Sequence, residues 1–417
     1  MTALCSTTAS HPVRPREDHP YTWAVPYLDH AATTPLRPEA LEAMLPFLQG
    51  SFGNPSGQHS QARAAKTAIE EAREQVAAAL GARPAEIVFT GGGTEADNLA
   101  IKGAARSARD RGFGDGVVTT AIEHHAVLHS CDRLGRDGLR VAKVGVDADG
   151  VVDLDALAAA LDERTTVVSV MLANNEVGTV QPLSAIAAVV AERAPRAVLH
   201  TDAVQAAAWL DVAATAADAG LVAVSAHKFG GPKGVGALVV RQGTKLVPVI
   251  DGGGQERDLR SGTHNVAGIV GMAAALTATV AHREDEMPRV RALRDRLAAG
   301  IAAALPDGAV RTNGDPAGKL VNNCHVAFPG VEAEALLLLL DRDGVCASAG
   351  SSCASGALEP SHVLAAMGLP VELARSSVRL TLGWPTTEAE VDEAVAVITA
   401  GVDRLAGRAA RRVSTPG

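Results

Sequence analysis

The chain has 417 residues, 47% apolar, 20% charged and only 3% aromatic. These proportions exclude collagen-like, disordered and coiled-coil chains. With 38 Lys and Arg against 47 Asp and Glu, the net charge is −9. There is no basic excess for nucleic acid or an anionic membrane, and too few rings for a base-stacking platform.

The length suits two or three domains, or one large and one small. Residues 1–25 are rich in Pro, Ser and Thr and lack an apolar core. They read as a disordered leader rather than a signal peptide. The longest apolar runs, Val167–Ala173 and Ala335–Leu340, fall short of the roughly 20 residues that cross a bilayer. The cysteines are Cys5, Cys131, Cys324, Cys346 and Cys353. Their odd, sparse count and the absence of a CxxC pattern point to reduced thiols in the cytoplasm, with no zinc motif.

From about Arg63 to Val240, helical and strand patterns alternate. Ala65, Ala68, Ile69, Ala72, Val76 and Leu80 fall at helical spacing, with Gly81 as a stop. Glu86–Thr90, Val117–Thr120, Thr166–Leu172, Ala197–Thr201, Leu221–Ser225 and Gly236–Val240 read as strands. Near-continuous apolar strands between helices predict an α/β fold, a parallel sheet covered on both faces. After about Val280 the character changes. His282–Leu305 is a charged amphipathic helix that Pro288 kinks or restarts, and Asn322–Phe328 and Ser377–Leu382 are short strands. The expected division is a large domain over 26–280, a smaller α+β domain over 281–406 and a tail over 407–417. The first residues of the large domain are expected to pack with the small one.

Six stretches carry chemistry. Gly91, Gly92, Gly93 and Thr94 join a strand to a helix, where free N–H groups bind anions; a plain capped turn is the alternative. Neither G-x-G-x-x-G nor a P-loop is present. Ser225, His227 and Lys228 follow an apolar strand, at the sheet edge where open α/β sheets bind ligands. A desolvated Lys228 can form a Schiff base with an aldehyde cofactor; otherwise it is a loop lysine. Lys233, between Pro232 and Gly234, fits the loop reading better.

Asp202, at the end of another apolar strand with Gln205 beyond it, could pair with a pyridinium nitrogen or simply cap a helix. Glu123, His124, His125 and His129 form the fourth stretch. His125 and His129 share a helix face, but without an H-E-x-x-H pattern zinc ranks below ring stacking or a hydrogen-bonded loop histidine. Cys353 lies in a Ser/Gly-rich, flexible segment, unlike a packed cysteine, and has no local cation to lower its pKa. Cys131, Cys324 and Cys346 read as packing residues. Arg379 alternates with Val378 and Leu380 on a strand, where it either clamps a carboxylate or faces solvent.

In this order the motifs resemble the cysteine desulfurases, the class V branch of the pyridoxal phosphate (PLP)-dependent aminotransferases. The likeness runs from Tyr27–Pro35 to Gly383–Thr387. It includes Phe52–Ser56, Ala173–Gly178, Gly252–Glu256, Arg260–Asn265 and Leu358–His362. The long cysteine loop is similar to that of the nitrogen-fixation and general iron–sulfur enzymes, the first of the two groups. The resemblance implies the fold type I architecture of PLP-dependent transferases, with a PLP-binding large domain and the cysteine loop on the small one.

It implies that Lys228 carries PLP and shuttles the substrate α-proton, that Asp202 pairs with the ring nitrogen and that Gln205 bonds the ring hydroxyl. His124 would stack on the ring and assist proton transfer. Gly93, Thr94, Ser225 and His227 would hold the phosphate, with Thr263 reaching the neighbouring subunit's cofactor in a homodimer. Asn175 and Arg379 would bind substrate. Cys353 would take sulfur from L-cysteine as a persulfide, releasing alanine, for a sulfur-acceptor or scaffold protein in iron–sulfur assembly or tRNA thiolation. Cys353 would also be a transient ligand of an iron–sulfur cluster; no other metal is implied. The alternatives are a selenocysteine lyase, another class V enzyme, or a non-catalytic scaffold. Three positions depart from the family pattern: Gly91–Thr94 replaces Ser-Gly-Ala-Thr, His264 replaces an acid, and Ser352 replaces Ala.

Overall fold

The computed structural model describes residues 25–350 and 360–413, with side chains up to residue 407. Nearly all of the expected leader, Cys5 and the Cys353 stretch therefore lie outside the described residues.

The described residues include ten strands: β1 Ile87–Thr90, β2 Gly116–Thr120, β3 Arg140–Val144, β4 Thr165–Ser169, β5 Val198–Asp202, β6 Leu221–Ser225, β7 Gly236–Val240, β8 Arg311–Thr312, β9 Asn323–Ala327 and β10 Ser377–Thr381. The first seven form one sheet in the order β1-β7-β6-β5-β4-β2-β3. The runs at β2, β4 and β6 are apolar because these strands are buried along their whole length. On β6, Val222 and Val224 enter one core cluster while Leu221 and Ala223 enter the other. This two-faced burial confirms the α/β reading.

The sheet is mainly parallel, as expected, with one antiparallel strand. β7 is antiparallel to both β6 and β1. The link from Ser225 to Gly236 is too short for a parallel crossover, which takes a dozen or more residues. β3 escaped the sequence reading because it is an edge strand with exposed Arg140 and Lys143, charges that blunt an open edge.

β1, β2, β4, β5 and β6 all end at the same edge, so Gly91, the Ile122–His124 turn, Asn175, Ala203 and Lys228 emerge together. A second antiparallel sheet, β10-β9-β8, carries Arg379. Residues near the start of the described chain join it, with bridges Tyr27 to Cys346 and Asp29 to Thr381.

The helix Val266–Ala304 runs unbroken over 39 residues with Pro288 inside it, so it does not restart at the proline. Val290, Leu293, Leu297 and Ile301 are buried beyond it. By length and composition this helix could cross a membrane, correcting the reading that no stretch comes near that length. However, 56% of its most apolar window is buried within the protein, as expected of a core helix. The last helix, Glu388–Val413, includes Gly407, so the expected tail is helical to Val413. Ala409, Ala410 and the arginines there are strong helix formers.

Candidate active site

The phosphate-type cradle is built by the glycines after β1. Gly92 has φ +148°, a conformation that favours glycine. Gly93 opens the helix Gly93–Asp110, and a Cβ there would lie 2.7 Å from Val204 Cγ2. A side chain at 93 would therefore make Val204 shift. The N-terminus of this helix, Thr94, Ser225 and His227 face one cavity of about 930 Å³. The Glu95 carboxylate beside them is bonded by Arg260 Nε at 2.8 Å and by the Gly91 N–H.

Lys228 ends the short 3-10 turn Ala226–Lys228 after β6. Its Nζ donates to the carbonyls of Ala31 and Ala32 at 2.6 and 2.8 Å. Gln205 Nε2 donates to the same Ala31 carbonyl at 2.8 Å. The Tyr27–Pro35 segment therefore holds the amine at the cavity wall. Burial and the neighbouring Lys228 lower the His227 pKa to about 4.

Asp202 lines the same cavity and accepts from the Val204 N–H at 2.8 Å. Asp97, 1% exposed, sits beside it. One ligand-type atom each from Asp97, Asp202 and His124 lie within 4.8 Å of one another. Burial raises the pKa of both acids. Asp97 is pushed further by Asp202 and Glu123, while the Val204 N–H and Lys228 hold Asp202 down. Burial thus holds both acids toward their neutral forms, Asp97 the more strongly.

His124 caps the helix His125–Arg136, its Nδ1 accepting from the Ala126 N–H at 3.1 Å. Burial, then Lys228, lowers its pKa to about 4. It is a neutral imidazole whose proton is on Nε2, with Nδ1 as the acceptor.

Arg379 is 1% exposed, so the sequence alternative of an exposed strand arginine fails. Its Nη2 donates to Asp29 Oδ1 at 2.8 Å and its Nη1 to the carbonyls of Asn175 and Gly350 at 2.8 and 3.2 Å. Asn175 is presented by a turn that Asn174 builds. The Asn174 side chain accepts from Glu176 N and Val177 N and donates to the Ile122 carbonyl.

His124, Asn175, Asp202, Gln205, Ser225, His227, Lys228 and Arg379 thus face one cavity, together with Gly93 and Thr94. Thr263 does not: it is exposed and outside that lining. Cys353 lies outside the described residues. Sequence reasoning assigned no role to Asp29, Asp97, Asn174, Glu176 or His362, although Asp29, Asn174, Glu176 and His362 lie inside the matching stretches. The signal for Asp97 was a lone acid on an apolar helix face. Cys131 and Cys324 are buried, and burial raises their thiols to about 12 and about 11. His264, the departure from an acidic residue, instead bonds the buried Glu256 at 2.6 Å.

The donor set fits PLP. Backbone N–H groups, two hydroxyls and a histidine can hold a phosphate, a buried acid on the same cavity can partner a pyridinium, and an amine borders the same space.

The aminotransferase class-V family matches residues 26–394. A cysteine desulfurase IscS of Dictyoglomus turgidum is 45% identical over 379 residues, 91% of this chain and 95% of that protein. An IscS-like cysteine desulfurase of Mycobacterium tuberculosis is 47% identical over 382 residues, 91% of this chain and 96% of that protein. A solved NifS-like protein superposes with TM-score 0.85 at 36% identity, covering 91% of this chain and 100% of the other. SspA in complex with cysteine gives TM-score 0.74 at 34% identity, covering 85% and 98%.

Proposed function

We propose that this chain, which belongs to the aminotransferase class-V family, is a PLP-dependent cysteine desulfurase that converts L-cysteine to L-alanine and a persulfide on Cys353. The observation that carries this reading is one cavity lined by Lys228, Asp202, His124 and Arg379. The similarity to named desulfurases over about nine-tenths of the chain supports the same activity.

Bound PLP supplies an electron sink for charge developing at the substrate Cα. Gly93, Thr94, Ser225 and His227 would hold its phosphate, Asp202 would pair with its ring nitrogen, Gln205 would bond its hydroxyl and His124 would stack on the ring. Arg379, fixed by Asp29, is left to hold the substrate carboxylate with Asn175. Lys228 Nζ would hold the cofactor between turnovers and take the proton from substrate Cα. His124 Nε2–H is the neutral donor beside that exchange. The Cys353 thiolate then attacks the substrate sulfur: an S–S bond forms, the Cβ–Sγ bond breaks and its electron pair stays on carbon. One proton delivered to Cβ and the proton returned from Lys228 to Cα complete alanine.

The sulfur acceptor is a protein of iron–sulfur assembly or tRNA thiolation, and Cys353 is a transient cluster ligand during delivery. A homodimer, with Thr263 reaching the partner's cofactor, is supported by the exposed stripe Leu41, Leu45 and Leu48 with Phe52 beyond it. The three free thiols Cys131, Cys324 and Cys346 support a reducing cytoplasm. We divide the chain into a large domain over 26–280 and a small domain over 281–406.

The test compares wild type with Cys353→Ala for alanine and sulfide release from L-cysteine under reductant. Loss of both products with the cofactor spectrum retained supports the persulfide route. Undiminished alanine release from the variant overturns it.

A further inference from the structure

Glu123 is fully buried, lies outside the lining of the active-site cavity and plays no part in the chemistry above. Burying a carboxyl is costly unless its oxygens are bonded or its charge is removed. Its place in the fold therefore calls for an account.

Its bonds gather at the root of the turn that presents His124. Oε1 accepts from the Thr120 hydroxyl at 2.7 Å and from the Met171 N–H at 2.9 Å. Thr120 ends β2, and Met171 follows β4, its parallel neighbour. One oxygen thus ties the ends of two strands to the turn. The Glu123 carbonyl accepts from His362 Nε2 at 2.9 Å, and the Ile122 carbonyl accepts from Asn174 Nδ2 at 2.9 Å. On the other side, His124 Nδ1 is already engaged as the cap of the helix His125–Arg136. The imidazole is held from both directions along the chain.

The two donors both reach Oε1, whereas Oε2 is buried and has no hydrogen-bond partner among the described residues. An ionised carboxylate would leave half its charge bare on Oε2. A neutral carboxyl matches the asymmetry, with Oε1 as its carbonyl oxygen and the proton on Oε2. Burial acts in the same sense and raises the Glu123 pKa to about 8. Glu123 serves the turn as a hydrogen-bond acceptor, not as a charge.

We propose that Glu123 is a positioning residue for His124, its carboxyl locking the Ile122–His124 turn to the ends of β2 and β4 and so fixing the imidazole against the cofactor ring. The inference rests on the reading of His124 as the residue that stacks on that ring. Because Glu123 does not line the cavity, it acts through His124 and not on the reacting atoms. A catalytic group misplaced by about 1 Å can lose on the order of 100-fold in rate.

The test uses PLP-loaded wild type, Glu123→Ala, Glu123→Gln and Thr120→Val. Far-UV circular dichroism and cofactor content show which variants are folded and loaded. The readouts are the visible-band circular dichroism of the bound cofactor, which reports the ring's chiral surroundings, and kcat and KM for alanine release from L-cysteine. Glu123→Ala should weaken the visible band and lower kcat about 10-fold or more, with KM little changed. Glu123→Gln keeps a neutral acceptor at Oε1 and should restore both readouts toward wild type. Thr120→Val, which removes only the hydroxyl donor, should shift both in the direction of Glu123→Ala by less, and it carries the test if Glu123→Ala does not fold. A wild-type visible band and kcat in the folded, loaded variant refute the role. So does a Glu123→Gln as impaired as Glu123→Ala, or an effect confined to KM. The visible band needs no substrate, so it tests the setting of His124 even if wild type were to release no alanine, an outcome that would defeat the desulfurase reading alone.

Discussion

Glu256 offers a decisive test of how the cofactor-facing loops are anchored. It is 1% exposed and accepts two bonds from Arg73 at 2.8 Å, one from the Phe89 N–H at 3.0 Å and a contact from His264 Nε2 at 2.6 Å. These bonds tie the helix Ser60–Ala79, β1 and the segment that carries Thr263 to one carboxylate. Burial works against the charge, but His264 and Arg73 win, and the Glu256 pKa falls from 4.5 to about 2. That displacement corresponds to about 3 kcal/mol of stability at neutral pH. Glu256→Gln removes it and leaves the Arg73 guanidinium buried without its counter-charge, a change that costs about 3–5 kcal/mol.

The sign follows from a depressed acid. The contribution is whole above the unfolded-state pKa and is lost as pH falls through the folded-state value. Urea unfolding at pH 7 should show the variant about 3 kcal/mol less stable. The gap should hold down to about pH 5 and shrink by more than half near pH 3. A deficit under about 1 kcal/mol at pH 7, or one that does not change with pH, refutes the anchoring role.

Asp97→Asn should act with the opposite sign. Asp97 folds with a raised pKa, so its ionisation penalises the wild type as pH rises. The variant should gain stability relative to wild type between pH 4 and pH 7, and a loss over that range would contradict a protonated Asp97. Lys228→Ala should abolish covalent cofactor retention, so borohydride treatment followed by peptide mapping should label Lys228 in wild type and nothing in the variant. Arg379→Lys should lower kcat/KM for L-cysteine by at least about 30-fold, chiefly through KM, because one ammonium cannot hold a carboxylate and Asp29 as a planar fork does. An unchanged KM would remove Arg379 from substrate binding. Gly178→Ala should lower the melting temperature and raise KM together. Gly178 has φ +83°, and a Cβ there meets Asn323 Cβ at 2.7 Å, distorting the turn that presents Asn175.

The α/β alternation and six of the seven large-sheet strands were legible because these strands, edge strand β1 included, are almost wholly buried and rich in apolar residues. Strand β3 was not, since an exposed edge carries charge instead of pattern. The same one-dimensional limit hid the antiparallel turn of β7, which depends on link length and on which neighbour the strand meets. At the site, residue types at strand ends marked Gly93, Thr94, Asp202, Lys228 and Arg379 as candidates, because strand ends share one sheet edge in such folds.

Each of those residues also had an ordinary reading, and the sequence alone could not choose. Tertiary structure chose by distance and burial. It sank Arg379 against Asp29, which is 350 positions away in the chain, and set Asp97 beside Asp202. It parked Lys228 on the carbonyls of Ala31 and Ala32 and packed Gly93 against Val204. Local pattern thus determined the elements and the kinds of chemistry on offer. Contacts between distant segments decided which charges are desolvated, which are paired and which protons are kept, since these depend on surroundings that no short stretch of sequence contains.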